Sequence, residues 1–286
     1  MTKNKNLNTP ITIDCNSKLL DLSTPAIMGI LNLTNDSFYD GGQHNSRKKA
    51  LLKTEKMLDD GAKIIDIGAY SSRPMAKHIS LDEEWQRIEK TLQIINKKFP
   101  QAILSIDTFR SEIARRSVDN GADIINDISA GNLDPHMFDT VAGLNIPYIM
   151  MHMQGTPQNM QDNPNYDCIE KEVMNYFISK VKTLQQKGIS KIIIDPGFGF
   201  GKTVEHNYQL LNNLDELHSL ELPLLVGVSR KSMVYKVLET DTKNSLNGTT
   251  AIHALCLSKG ASILRVHDVK EAVECVKLIN FAKNQL

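Results

Sequence analysis

A carboxylate that closes a buried strand is the first feature of this sequence with chemical consequence. In Lys191-Ile-Ile-Ile-Asp-Pro-Gly-Phe-Gly-Phe-Gly-Lys202 an apolar, β-branched run stops at Asp195 and passes into a loop carrying Gly197, Gly199 and Gly201. The run is too short for a helix, and an aspartate at its end is costly to bury unless a ligand or neighbour satisfies it. Asp195 is therefore a candidate functional residue. Other apolar runs stop at similar residues: Asn32, Asp66, Asp107, Asn126 with Asp127, His152, Lys231, and Arg265 with His267. Carboxylates, an amide and cations in this mixture suit a fused, amide-rich heterocycle. The carboxylates and Asn126 would read ring N–H and carbonyl groups, while Lys231 and Arg265 balance negative charge. Two early loops, Asn32 to Gly42 and Gly68 to Pro74, have the hydroxyl-rich composition of lids. Ser71, Ser72 and Arg73 match phosphate oxygens as donors. Asn32 alone is a poor metal site and suits Mg²⁺ only where a polyphosphate substrate and waters supply most ligands.

These residues need elements that bring them to one place. Four segments repeat a pattern of helix-ending glycine, buried strand and polar stop: Gly61-Ala-Lys-Ile-Ile-Asp66, Gly121-Ala-Asp-Ile-Ile-Asn126, Gly188-Ile-Ser-Lys-Ile-Ile-Ile-Asp195 and Gly260-Ala-Ser-Ile-Leu-Arg265. Their spacing of 60 to 72 residues suits two β-α units each, and apolar runs at 26–31, 102–106, 146–151 and 224–228 supply the strands between. The expected fold is α/β, a single (β/α)8 TIM barrel over 11–286 with a frayed tail at 1–10, and all strand C-termini facing one end. An open doubly wound sheet has the same periodicity and is the competing architecture. Ser80-Leu-Asp-Glu83 is a capping box, Asp134-Pro135 predicts a helix start, and 165–187 reads as a long helix with Val173, Phe177, Val181 and Leu184 on one stripe. Residues 11–20 read as a hairpin closing the barrel's N-terminal end.

Each candidate also has a plainer reading. Asp66 and Asp127 could cap the following helices, His152 is better read as a satisfied supporting histidine, and Lys202 as a solvated lysine opening a helix. The glycines after Asp195 could serve turns alone, since this is no P-loop. Of Met150, Met151 and Met153, only Met151 is favoured for a pocket, and the others for packing.

Composition narrows the classes. With 41% hydrophobic residues, zero formal net charge and one Trp, the chain suits a globular enzyme and lacks a basic run for nucleic acid. Cys15, Cys168, Cys256 and Cys275 are scattered, so neither zinc nor a disulfide framework is indicated. The polar N-terminus and the lack of a spanning apolar stretch lead to an expected cytoplasmic location without membrane or nucleic-acid partners.

Taken in order, Met28-Gly-Ile-Leu-Asn-Leu-Thr, Ser105-Ile-Asp-Thr, Ile125-Asn-Asp, Met151-His-Met-Gln-Gly, Asp195-Pro-Gly-Phe-Gly-Phe-Gly-Lys202, Ser229-Arg-Lys and Arg265-Val-His-Asp268 resemble the dihydropteroate synthase family. The resemblance runs through nearly the whole chain. It implies condensation of 6-hydroxymethyl-7,8-dihydropterin pyrophosphate with 4-aminobenzoate, with Mg²⁺, in a homodimer. Catalytic roles are implied for Asp107, Asp195, Lys231 and Arg265. Asp107, Asn126, Asp195 and Lys231 fall where the family holds the pterin, Arg265 against its face, and Met151 and Phe200 along the pocket. Asn32, Ser72, Arg265 and His267 match positions around the pyrophosphate and its Mg²⁺, with Arg73 beside them in the phosphate-matching loop. Phe38, Pro74, Phe200 and Ser232 fall near the aminobenzoate. The chain departs from the family at Asn35, Ala69, Ser72 and Met75, where proline, glycine, threonine and glycine are usual; Ser72 keeps the hydroxyl.

The implied chemistry is loss of pyrophosphate to a ring-stabilised methylene cation, captured by the neutral aromatic amine. Two rival functions are a Schiff-base aldolase through Lys231 and a non-catalytic pterin-binding or pterin-dependent methyltransferase module. The complete first loop and Ser229-Arg-Lys231 argue against a pure binder, which has no use for a leaving-group site.

Overall fold

The computed structural model describes residues 12–33, 42–71 and 78–285, with the backbone alone for 42–46. The expected frayed tail at 1–10 lies outside them. Eight parallel strands make the barrel: β3 (Ala26–Asn32), β4 (Ile64–Gly68), β5 (Ile103–Asp107), β6 (Ile124–Asp127), β7 (Tyr148–Met151), β8 (Ile192–Asp195), β9 (Leu225–Val226) and β10 (Ile263–Val266). Their order is β8-β7-β6-β5-β4-β3-β10-β9, and a parallel bridge from Ile194 to Leu224 joins the two ends, excluding an open sheet. The glycines of the sequence repeat end the helices, Gly61, Gly121, Gly188 and Gly260 having φ of +106°, +97°, +81° and +87°. That left-handed conformation is one other residues rarely adopt.

Side chains alternate inward and outward along each strand, and this period builds the site. Outward residues such as Ile65, Leu104, Ile125, Met150 and Leu264 pack under the helices. The inward residues at the N-terminal end, Met28, Ile64, Ile103, Ile124, Ile149, Ile193, Leu225 and Ile263, make an apolar layer. Two residues further along, the inward positions are Ile30, Asp66, Ser105, Asn126, Met151, Asp195, Gly227 and Arg265, mostly polar. Register then fixes the next level, pairing Asn32 with Gly68, Gly68 with Asp107, and Asp107 with Asn126. The strands are thus apolar below and polar above, and the polar end faces the loops that follow them.

The hairpin forms from β1 (Thr12–Cys15) and β2 (Lys18–Asp21), antiparallel. Asn16 and Ser17 turn it at φ of 51° and 71°, the conformation of a two-residue hairpin loop. Ile13, Cys15 and Leu20 join the apolar layer and close the N-terminal end. Among the helices, Leu81–Lys98 is capped by Ser80, whose side chain accepts from Glu83 N. The long helix begins later than the sequence suggests, at Ile169–Gln186, with Val173, Phe177 and Leu184 buried. The predicted start at Asp134-Pro135 also moves, because Asp134 accepts from Ser111 N and His136 N instead and the helix is Met137–Leu144. No helix among the described residues is long and apolar enough to cross a membrane.

Leu20 is fully buried in the plug. Leu20→Ala should lower unfolding free energy in urea by about 2–5 kcal/mol while leaving ligand affinity unchanged, because the plug lies at the opposite end from the polar layer. A parallel loss of affinity would show that the two ends are not independent.

Candidate active site

The polar layer is organised by Arg265. Its Nε donates to Asp66 Oδ2 at 2.6 Å and its Nη2 to Asp107 Oδ2 at 2.7 Å. Asp66 is fully buried and also accepts from Ser105 Oγ at 2.6 Å and Asn126 Nδ2 at 3.2 Å. Burial opposes the Arg265 charge, but Asp66 and Asp107 outweigh it and hold the guanidinium protonated. Burial raises the Asp107 carboxyl above its ordinary range, against the pull of Arg265, with Asp66 adding to the rise. Gly68 makes room for this carboxylate: a Cβ there would meet Asp107 Cβ at 3.3 Å.

Across the barrel, Asp195 accepts from Gly197 N at 2.8 Å. Burial raises its pKa, and Lys231 opposes that shift most. Lys231 Nζ donates to Phe198 O at 2.5 Å and lies 4.5 Å from the centre of the Phe200 ring, a cation–π contact. Burial lowers its pKa to about 8, against the carboxylate of Asp195. A Cβ on Gly227 would lie 3.8 Å from Lys231 Nζ, 3.9 Å from Arg265 Cβ and 4.0 Å from Asp195 Oδ2. Groups from three strand ends thus surround one small residue.

The loop between Asp195 and Lys231's partners is held from beneath. Lys202 is 3% exposed, so the solvated lysine expected from sequence is corrected. Its Nζ donates to Gly197 O at 3.0 Å, Phe200 O at 3.0 Å and His152 Nδ1 at 2.9 Å, using all three ammonium hydrogens. His152 is the supporting histidine the sequence suggested, its pKa pushed down to about 2 by burial and by Lys202, so it accepts as a neutral ring. Gly197 cannot be replaced at φ +70°, since a Cβ would stand 1.9 Å from His152 O.

An apolar wall completes the mouth, with Met151, Ile128, Met153 and Met160 buried and Phe109, Leu133 and Phe200 packed against them. Met150 is outward core, as expected, whereas Met153, also expected to serve packing alone, lies in this wall with Met151. Ser232 opens the short helix Ser232–Tyr235 beside Lys231. Ser229 Oγ meets His267 Nδ1 at 3.1 Å. Arg230, at φ +56°, pairs with Asp268 through Nε at 2.7 Å and Nη2 at 2.9 Å, so the middle residue of Ser229-Arg-Lys is a brace. Asn32 is half-buried, and its side chain has no hydrogen-bond partner among the described residues. No group of three or more His, Cys, Asp or Glu suited to a metal occurs among the described residues. A single neutral amide oxygen fits Mg²⁺ that keeps its waters and takes phosphate oxygens. Phe38, Ser72, Arg73 and Pro74 lie outside the described residues, as do Asn35 and Met75.

The described candidates therefore gather at one end: Asn32, Asp107, Asn126, Met151, Asp195, Phe200, Lys231, Ser232, Arg265 and His267. Asp66 was weighed from sequence as a helix cap; it is instead inside the strand, facing Arg265. Asp127, weighed likewise, caps no helix: it accepts from Ser129 N and Gly131 N in the turn after its strand and from Tyr148 OH, while the next helix begins only at Met137. Ser105 is a site residue the sequence quoted only within a motif, although the Ser105-Ile-Asp107 alternation puts the serine on the same inward face, and Lys202 was read only as a solvated lysine.

Residues 28–267 match the family described as pterin binding enzyme. The chain belongs to that family. It is 45% identical over 262 residues to the dihydropteroate synthase of Escherichia coli (strain K12), covering 91% of this chain and 92% of that protein. Among solved structures, the Yersinia pestis dihydropteroate synthase with a sulfonamide drug superposes with a TM-score of 0.90 at 41% identity, covering 96% of this chain and 99% of that one. The Xanthomonas albilineans dihydropteroate synthase with 7,8-dihydropteroate gives 0.86 at 33% identity, covering 95% and 98%. The eight-stranded barrel is therefore that of a pterin-binding enzyme.

Burial lowers the Lys202 pKa from 10.5 to about 7, with Asp195 opposing and Lys231 adding. The unfolded lysine stays protonated up to its ordinary value, so folding releases a proton between about pH 7 and 10 and stability from this site rises with pH. Lys202→Met removes that dependence. The stability advantage of wild type over Lys202→Met, from urea midpoints, should grow between about pH 6.5 and 9; a flat or shrinking difference would show that Lys202 stays charged throughout.

Proposed function

We propose that the chain is a dihydropteroate synthase, joining 6-hydroxymethyl-7,8-dihydropterin pyrophosphate to 4-aminobenzoate with release of pyrophosphate. The observation that carries this reading is the convergence of Asp107, Asn126, Asp195 and Lys231 on one barrel mouth under the Arg265 guanidinium. Relatives at 45% and 41% identity are dihydropteroate synthases, one with a sulfonamide bound.

In this reading the dihydropterin lies in the polar layer. Its ring N–H groups donate to Asp107 and Asp195, the Asn126 amide matches its mixed edge, and Lys231 donates to its carbonyl. Arg265, already pinned by Asp66, covers the ring face. The methylene C–O bond breaks with its electron pair leaving on pyrophosphate, and the ring delocalises the positive charge. The amine nitrogen of 4-aminobenzoate then forms the C–N bond and loses its proton to solvent. No strong base is required. The Asp107 and Asp195 carboxylates favour the cation, in a layer where the apolar Met151 wall limits water. Phe200 and Ser232, with Phe38 and Pro74, receive the aminobenzoate. Ser72, Arg73 and His267 hold the pyrophosphate. Asn32 would hold Mg²⁺ delivered with the substrate, and that ion would neutralise charge on the leaving group. The reading includes a homodimer, from the family resemblance.

Pyrophosphate release from the dihydropterin pyrophosphate, with Mg²⁺ and with or without 4-aminobenzoate, tests the reading while dihydropteroate is followed by chromatography. Amine-dependent release matched by dihydropteroate is expected; tight binding with no release would move the assignment to a pterin binder or methyltransferase. Asp195→Asn should weaken pterin binding about a hundredfold in calorimetry, since a charged hydrogen-bond acceptor is lost, with the melting temperature nearly unchanged. Lys231→Ala should cost more in affinity than in stability, and the opposite balance would make Lys231 structural.

A further inference from the structure

The parallel register that aligns β10 with β9 pairs Ile263 with Leu225 and Leu264 with Val226, an offset of 38 residues. The same offset brings His267 beside Ser229 and Asp268 beside Arg230. The two-pronged Arg230–Asp268 ion pair locks this alignment one residue past the histidine. Ser229 Oγ consequently meets two atoms of His267, accepting from its backbone N–H at 3.2 Å and facing its ring Nδ1 at 3.1 Å.

A serine hydroxyl has one hydrogen to give. Ser229 is 4% exposed, so water is a poor outlet for it, and Oγ has no other acceptor within hydrogen-bond distance among the described residues. If Nδ1 carried the proton, the ring would donate to Oγ and the buried hydroxyl hydrogen would be left unpaired, a disadvantage of roughly tenfold or more. If Nδ1 is bare, every donor is used: His267 N–H to Oγ, and Oγ–H to Nδ1. The proton of a neutral ring then sits on Nε2, which has no partner among the described residues on an exposed side chain.

We propose that Ser229 is a positioning residue that fixes the His267 imidazole as its Nε2–H tautomer, so that a neutral ring donates a hydrogen bond to the pyrophosphate. The donor half of this proposal rests on the synthase reading of the site; the tautomer half does not. The charges around the ring agree with a neutral form. Desolvation of its inner edge lowers the His267 pKa, as do Arg265, Lys53 and Arg230, while Asp268 opposes them. A ring so placed contributes a directed N–H without adding a titrating charge to the cations already there. The assignment of protons follows from hydrogen-bond completeness, as it must for any histidine.

The test is nitrogen NMR on the full-length enzyme labelled with ¹⁵N-histidine, near neutral pH, with His267→Gln identifying the His267 signals among the 8 histidines. Wild type should show a protonated Nε2 and a bare Nδ1, and inorganic pyrophosphate should shift the Nε2 signal. Ser229→Ala should lose the tautomer preference and lower kcat/KM for the dihydropterin pyrophosphate about tenfold, with KM for 4-aminobenzoate unchanged. Ser229→Thr, which keeps the hydroxyl, should recover both. An Nδ1–H ring or an imidazolium in wild type overturns the proposal, and so does an unaltered tautomer in Ser229→Ala or a His267 signal indifferent to pyrophosphate. Because the tautomer is read without substrate, its failure in an enzyme that still forms dihydropteroate would refute the Ser229 role and leave the synthase reading intact. Absence of dihydropteroate with wild type would instead refute that reading.

Discussion

Arg265 is a cation shared by two carboxylates inside a barrel, and the rest of the site follows from that constraint. Asp66 has no exposure and could not be tolerated there without donors. It receives them from Arg265, Ser105 and Asn126, three strands contributing to one side chain. Because Asp66 holds Nε, the guanidinium is oriented before any ligand arrives, and its Nη2 reaches Asp107 near the mouth. Removing one member of such a set leaves a buried charge unmatched, so the layer stands or falls as a unit.

Two lysines set the opposite wall by the same logic. Lys231 takes the Phe198 carbonyl from the pocket side, and Lys202 takes the Gly197 and Phe200 carbonyls from beneath. Within four residues the backbone carbonyls are thereby shared between two lysines, with Gly199 O going to Gln161, which explains the glycines between them better than flexibility does. Gly197 passes so close to the His152 carbonyl that no side chain fits. The loop is therefore a fixed shelf for the Phe200 ring, and only part of its chemistry is exposed to a ligand.

The fold and most of the site were legible because two periodicities agree. Apolar runs stopping at polar residues marked the strands, and the helix-ending glycines marked the spacing between them. Asp107, Asn126, Asp195 and Arg265 stood out because a polar residue on an inward strand position has no bland role unless a neighbour or ligand pairs it, and Lys231 stood out as a cation shortly after such a strand. Asp66 was harder. A carboxylate before an apolar residue and a glycine reads equally as a cap, and only the register with Ser105 and Arg265 separates the two. Lys202 was not legible at all, since a lysine after a glycine loop is normally solvated and its burial depends on carbonyls brought together by the tertiary fold. Ser229 was visible as part of a motif, but its partner is set by the register of β9 and β10.

Asp66 and Asp107 act through one guanidinium, and a double-mutant cycle tests this directly. Affinity for 6-hydroxymethyl-7,8-dihydropterin pyrophosphate would be measured by calorimetry for wild type, Asp66→Asn, Asp107→Asn and the double variant. Sharing of Arg265 predicts that the two losses are not additive, with a coupling above about 0.5 kcal/mol. Additive losses would mean that Asp66 only fills the barrel and that Asp107 binds the pterin independently of it.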